Sequence, residues 1–441
     1  MRRALLAACL LLAAAVPAAL GTTSAPPPPS LRAETTTWLS DRLVELAFSN
    51  PLLDPPFPST KARVLLPDGH ASSGKRYPVV LLLHGIGDSA RAWTTNQDGW
   101  PVTLEAFTAD KDVIVVMPDG GHGATAGWYS DWYNGGAFGS PAWETYHLDQ
   151  LLAYVDASFP TRPGRAGRVV AGLSMGGFGA MSYAARHPDR FAGAFSFSGA
   201  LDTTLLGGIF DERIWGRRVL DDIRRRGHNP VDLADNLADT RVWFRTGMGV
   251  AGGPGPKDAE SVGLEALLWP TNESFAEALR GAGVAHAYEA YPQGGHNWYH
   301  WQDGFQRAWP QMQELFDHPR PAPSSFRYRS AEPAFGIWGW DVAVARPVPE
   351  LLQLRDVSAG GLRLEGSGTV DLVTPPAYRP GGTYSVHGPT ASLLPRLVRA
   401  GDDGRLRFAV PLGQPSTGLP VLTPPGVVPT ATVTVTISPL G

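Results

Sequence analysis

Val169-Val170-Ala171-Gly172-Leu173-Ser174-Met175-Gly176-Gly177-Phe178 is the stretch on which the reading of this chain turns. Val169–Gly172 is short and almost wholly apolar, as a strand buried on both faces of a parallel sheet should be. Gly176–Arg186, rich in small residues, follows as a helix candidate. Between them Gly172-Leu173-Ser174-Met175-Gly176 is a G-x-S-x-G turn, a strained bend that lifts a serine hydroxyl above the sheet edge. Glycines flank the serine because a side chain at either position would collide across so tight a turn. A helix starting here also directs its first amides toward negative charge developing beside the serine. A bare G-x-S-x-G arises often by chance, and a glycine-rich turn with an incidental serine would look the same. The flanking strand and helix give the nucleophile reading its weight.

On either side of this turn, short apolar runs alternate with helical stretches. Strand candidates are Lys61–Leu66, Val79–His84, Val113–Met117, Ala194–Ser198, Val242–Gly247 and Ala287–Tyr291. Helix candidates are Trp143–Phe159, Glu273–Gly281 and Asp303–Phe316. The alternation predicts an α/β unit over residues 31–318, a mostly parallel central sheet with helices on both faces. Residues 319–325 (Pro319-Arg320-Pro321-Ala322-Pro323-Ser324-Ser325) read as a stiff linker. Beyond it, residues 326–441 carry strand-like segments such as Thr369–Val373, Leu406–Val410 and Ala431–Ile437 between Gly/Pro turns. They predict a small all-β C-terminal domain, with a sandwich as the expected form.

The 441 residues have a formal net charge of -4, which offers no basic surface for nucleic acid. Met1-Arg2-Arg3 is followed by an apolar run to Val16 and then small residues, the layout of a secretory signal over residues 1–25. The run is too short for a transmembrane anchor, since spanning takes about 20 residues. Export to the cell envelope or medium is therefore expected. The one cysteine, Cys9, lies in that leader, so a disulfide framework, a zinc-thiolate site and a cysteine nucleophile are all excluded from the mature chain. No metal and no cofactor is expected.

A serine hydroxyl is a poor nucleophile until a neighbouring base takes its proton. His296, in Pro292-Gln293-Gly294-Gly295-His296-Asn297-Trp298, follows the last strand candidate and is the expected base, with His300 the runner-up. His187 is expected to cap the helix that leaves the turn. A carboxylate must hold the imidazole, and the segment after Val242–Gly247 offers Asp258, Glu260 and Glu265, among which spacing does not choose. Two backbone amides should receive the oxyanion, those of Met175 and, after Val79–His84, Ile86.

Several separated motifs carry a resemblance. Met117-Pro118-Asp119-Gly120-Gly121, Tyr129-Ser130-Asp131-Trp132-Tyr133, Trp143-Glu144-Thr145, Gly172-Leu173-Ser174-Met175, Asn229-Pro230 and His296-Asn297-Trp298-Tyr299-His300-Trp301 are similar to the esterase D group of α/β-hydrolases, and within it to the antigen 85 mycolyltransferases. The similarity covers roughly Tyr77 to Phe316 and implies an α/β-hydrolase fold with Ser174, His296 and an acid as a triad. Within that pattern Asn272-Glu273-Ser274-Phe275 puts the acid at Glu265, whereas Asp258 matches the aspartate of more general esterase D relatives. Ile86 and Met175 fall on the family's oxyanion positions. The chain departs from the mycolyltransferases at His84 and Gly87, where they carry an acidic residue and an arginine that hold trehalose, and at Gly177, where they have alanine.

The expected function is a secreted serine carboxylesterase or acyltransferase acting on a small-molecule, lipid or sugar ester. The alternative is a non-catalytic carbohydrate- or matrix-binding protein on a hydrolase scaffold, against which the retained Ser174 and His296 weigh. A serine peptidase ranks last, for want of a gating domain. Association with cell wall or carbohydrate through the C-terminal domain is left open, as is whether the aromatics of Trp128–Trp143 line a groove or fill the core.

Overall fold

The computed structural model describes residues 30–55, 57–96, 100–122, 125–208, 210–252, 259–388, 396–415 and 430–440. The expected leader and Asp258 lie outside the described residues. A nine-stranded sheet forms the centre. Its strands are β1 (Thr35–Trp38), β2 (Leu43–Phe48), β3 (Thr60–Leu65), β4 (Val79–Leu83), β5 (Ile114–Pro118), β6 (Arg168–Leu173), β7 (Gly193–Phe197), β8 (Arg241–Val250) and β9 (His286–Gln293). They lie in the order β1-β2-β3-β5-β4-β6-β7-β8-β9. The first three are antiparallel to their neighbours, and β4 to β9 run parallel.

Continuous apolar strands are needed because both faces of the sheet are covered. Along β4, Val79, Leu81 and Leu83 enter one core layer while Val80 and Leu82 enter the other. The elbow helix (Met175–Arg186) and a long helix (Ala259–Gly281) share the first layer through Phe178, Met181, Phe275 and Leu279. The closing helix (Trp298–Asp317) covers the opposite face through Phe305, Ala308, Met312 and Leu315. At ~2 kcal/mol for each large side chain removed from water, these two layers hold the site's framework.

Several local expectations change. Strands β1 and β2 precede the first expected one, and every residue of β1 is exposed, so it carries no buried alternation to read. The long helix starts at Ala259 instead of Glu273 and runs through Pro270, which as sequence reads as a break. The closing helix begins at Trp298, ahead of the expected Asp303. The run from Trp143 is helical but mixed: α over Trp143–Thr145, the wider π form over Tyr146–Leu151, and α again over Leu152–Ser158. Trp128, Tyr129, Trp132 and Trp143 are buried in the first core layer, so these aromatics fill the core.

The C-terminal region is all β. It comprises β10 (Phe326–Ser330), β11 (Ala334–Ile337), β12 (Trp340–Ala345), β13 (Leu352–Ser358), β14 (Gly361–Gly366), β15 (Thr369–Val373), β16 (Thr383–His387), β17 (Arg396–Arg399), β18 (Arg407–Pro411) and β19 (Ala431–Pro439). A six-stranded sheet, β10-β13-β14-β19-β16-β17, faces a four-stranded one, β11-β12-β15-β18. Leu354, Leu364 and Val433 of the first meet Val342, Leu372 and Phe408 of the second in one apolar cluster, as in an antiparallel sandwich. Among the described residues no helix is long and apolar enough to cross a membrane.

Candidate active site

Ser174 follows β6 directly and precedes the first residue of the elbow helix, with φ 54 and ψ -120. For a residue with a Cβ this is a strained conformation, held because the turn is clamped on all sides. The Ser174 amide donates to the Phe197 carbonyl at 2.9 Å. A Cβ on Gly172 would stand 2.2 Å from the Gly176 carbonyl oxygen, and one on Gly176 2.5 Å from that of Leu83. The serine remains partly accessible while the strand and helix around it are buried.

His296 arrives from the loop between β9 and the closing helix. The Ser174 hydroxyl lies 2.9 Å from His296 Nε2, and His296 Nδ1 lies 2.8 Å from Glu265 Oε2. With the Nδ1 proton donated to the carboxylate, Nε2 is free to accept from the serine. The glycine pair before His296 meets both a conformational and a packing need, since Gly294 has φ 147, a backbone that favours glycine. A Cβ on Gly294 would fall 2.4 Å from His300 Nε2, and one on Gly295 2.3 Å from Ser261 Oγ. The imidazole edge rests on Trp301 at 4.8 Å between ring centroids.

Glu265 is fully buried in the second turn of the long helix, not in a loop. Its Oε1 accepts from Ser198 Oγ at 2.7 Å, Thr246 Oγ1 at 3.0 Å and the Gly247 amide, leaving Oε2 to His296. Burial opposes ionisation of this carboxyl, but His296, Ser198 and Gly247 outweigh it and hold the pKa below the ordinary glutamate value. Glu260, the other described candidate, is exposed at the start of the same helix. His300 stacks on Tyr291 at 4.7 Å in the first turn of the closing helix, and His187 sits at the C-cap of the elbow helix, its Nε2 2.7 Å from Glu144.

Met175 opens the elbow helix, where backbone amides have no partner within the helix. The loop after β4 crosses beside the serine: a Cβ on Gly85 would stand 3.3 Å from the Ser174 Cβ. Ile86 is the next residue, half exposed. The Met117–Gly121 and Tyr129–Tyr133 motifs hold this loop. Asp119 accepts from the Ala90 amide at 2.7 Å and the Lys61 amide at 2.7 Å, and Tyr129 Oη donates to the His84 carbonyl at 2.9 Å. His84 is buried, its Nε2 accepting from the Gly120 amide at 2.8 Å and its Nδ1 donating to the Gly85 carbonyl at 2.7 Å. It braces the loop from inside.

Three residues around Glu265 carry no signal in the sequence. Ser198, the residue after β7, has φ 52, a left-handed backbone that aims its hydroxyl at Glu265. Thr246 lies on β8, and Tyr291 Oη approaches Glu265 Oε1 at 3.5 Å. Arg245 stacks on the Tyr291 ring at 4.5 Å from its centroid and pairs with Asp303. They become neighbours of Glu265 only when β7, β8 and β9 stand side by side. Among the described residues no cluster of His, Cys, Asp and Glu could hold a metal ion.

The family described as "Putative esterase" matches residues 58–312. Esterase Rv1288 of Mycobacterium tuberculosis (strain ATCC 25618 / H37Rv) is 36% identical over 248 residues, 53% of this chain and 51% of that protein. The chain thus spans about half the length of that relative. The diacylglycerol acyltransferase/mycolyltransferase Ag85B of Mycolicibacterium smegmatis is 30% identical over 241 residues, 49% of this chain and 72% of that one. Among solved structures, Mycobacterium tuberculosis MPT51 aligns with a TM-score of 0.47 at 26% identity, covering 59% of this chain and 94% of that chain. The chain belongs to this esterase family, with the antigen 85 proteins among its relatives.

Proposed function

We propose that the protein is an exported serine carboxylesterase or acyltransferase that works through an acyl intermediate on Ser174. One observation carries the reading: an unbroken hydrogen-bonded chain from Ser174 through His296 to Glu265, at 2.9 and 2.8 Å. The Ser174 oxygen attacks the ester carbonyl as its proton passes to His296 Nε2. The carbonyl oxygen becomes an oxyanion, received by the amides of Met175 and Ile86. Collapse expels the alcohol, which takes the proton from His296. Water or a second alcohol then gives its proton to His296 and attacks the acyl-serine, and as the second tetrahedral intermediate collapses to acid or new ester, His296 returns that proton to the departing Ser174 oxygen. Glu265 stays ionised throughout and stabilises the imidazolium. The buried His84, in place of a sugar-holding carboxylate, supports an acceptor other than trehalose.

Ser174→Ala should abolish p-nitrophenyl ester turnover, with a melting curve close to that of the wild type. Persistent turnover in that variant ends the reading. Glu265→Gln keeps the shape but removes the charge, and should lower kcat by about 10³-fold or more, in line with loss of a triad carboxylate. The order of basic, apolar and small residues in the first 25 supports export. N-terminal sequencing of secreted protein should find a start between residues 18 and 26.

A further inference from the structure

The elbow helix and the long helix lie on the same face of the sheet, and each carries one of the proposed catalytic groups at its N-terminal end. Their other ends both meet β10. The last carbonyls of a helix have no partner inside it. Here the Arg186 carbonyl, ending the elbow helix, accepts from Tyr328 Oη at 2.7 Å. The Ala282 carbonyl, one residue past the long helix, accepts from Arg327 Nη2 at 2.6 Å. A cation at this second position also suits the negative end of the helix dipole. Tyr328 and Arg327 are adjacent on one strand, so a single element holds both helix ends.

The seat of that strand is built from side chains that match its backbone. Asn236 Nδ2 donates to the Arg329 carbonyl at 2.9 Å, and the Arg329 amide returns a bond to Asn236 Oδ1 at 2.7 Å. The same Nδ2 reaches the Ala185 carbonyl of the elbow helix at 2.9 Å. Arg327 Nε donates to the Asp235 carbonyl at 3.1 Å. Two residues past β10, Glu332 pairs with Arg186 Nη1 at 3.1 Å, while Arg186 Nε donates to Glu144 at 3.0 Å. Tyr328 itself is buried.

We infer that β10 is a tie between the nucleophile and acid helices, with Tyr328 and Arg327 as positioning residues for Ser174 and Glu265. The C-terminal region is on this account a brace of the catalytic unit and not a tethered module. The inference rests on the triad proposed above. A helix is stiff along its axis, so slack at its far end reaches the group at its start as a change of separation. Nucleophile and acid touch through one imidazole, and such an arrangement tolerates little misplacement.

The test uses the full chain with Tyr328→Phe, Arg327→Met and both together, followed by hydrogen exchange and by pre-steady-state acylation with a p-nitrophenyl ester. In the double variant, amides at the ends of both helices should lose protection. Acylation should slow by about three- to tenfold with ester KM unchanged, well below the melting temperature. Tyr328→Phe alone, which only deletes a hydroxyl, should show the milder form of both effects at the elbow helix. Unchanged exchange at either helix end overturns the tie. Lost protection with unchanged acylation overturns the positioning role. Exchange needs no turnover, so an inactive enzyme with the expected exchange pattern would count against the triad and not against the tie.

Discussion

At the scale of single residues, the proposed acid is the instructive case. Asp258, Glu260 and Glu265 are equivalent as letters between a strand and a helix. Burial and donors separate Glu265 from the exposed Glu260: its Oε1 is engaged by Ser198, Thr246 and Gly247, which leaves Oε2 to the imidazole. Ser198 adds a hydroxyl held in place by its own left-handed backbone. Ser198→Ala should therefore lower kcat by about tenfold, the worth of a hydrogen bond to a buried charge, with ester KM unaltered. Without that donor, burial pushes the Glu265 carboxyl upward, so the acidic limb of the kcat/KM profile should move to higher pH. A pH titration of kcat/KM for both proteins measures this, and superimposable profiles would sink the assigned role.

At the scale of elements, the elbow is legible in sequence because its constraints are local. Gly172 and Gly176 are required by collisions within a few residues of themselves and with the strand next door. Gly172→Ala would press a methyl group onto the Gly176 carbonyl, and should cost about 3 kcal/mol or more. Urea denaturation should show this as a lower midpoint with the slope unchanged. The long helix is less legible. Gly263 and Pro270 break the helical pattern as letters, yet the segment is helical from Ala259 because Leu268, Phe275 and Leu279 pack on the sheet. Tertiary burial overrides propensity there. The closing helix reads short in the sequence for a similar reason: in its first turn Trp298, His300 and Trp301 are buried, Trp301 against the imidazole, and Tyr299 alone is exposed, so the turn lacks the polar face that marks a helix.

At the scale of the whole molecule, the two regions are joined through charge as well as backbone. Arg186 is largely buried between Glu144 and Glu332, which come from opposite sides of the junction. Burial would raise the Glu332 pKa, but Arg186 more than compensates and holds it below the ordinary value. The folded carboxyl thus binds its proton more weakly than the unfolded one. The stabilisation is present above the unfolded pKa of about 4.5 and is lost as pH falls through the folded value. Glu332→Gln should cost about 1 kcal/mol near pH 7, discounted because a third of the side chain meets solvent. The difference between the two proteins should shrink steadily below about pH 4. Thermal melts at both pH values check the sign, and a gap that widens in acid would contradict it.

The sequence by itself determined the parallel core of the sheet, the strained serine turn and the histidine after the last strand that is proposed as the base. Each rests on neighbours in the chain, where spacing and residue type carry the physics. Only the tertiary structure separated Glu265 from Glu260, supplied Ser198 and Tyr328, turned His84 inward and set the C-terminal strand under two helices. Those outcomes depend on which distant segments share a core layer, and burial against a particular partner leaves no mark in the local order of residues.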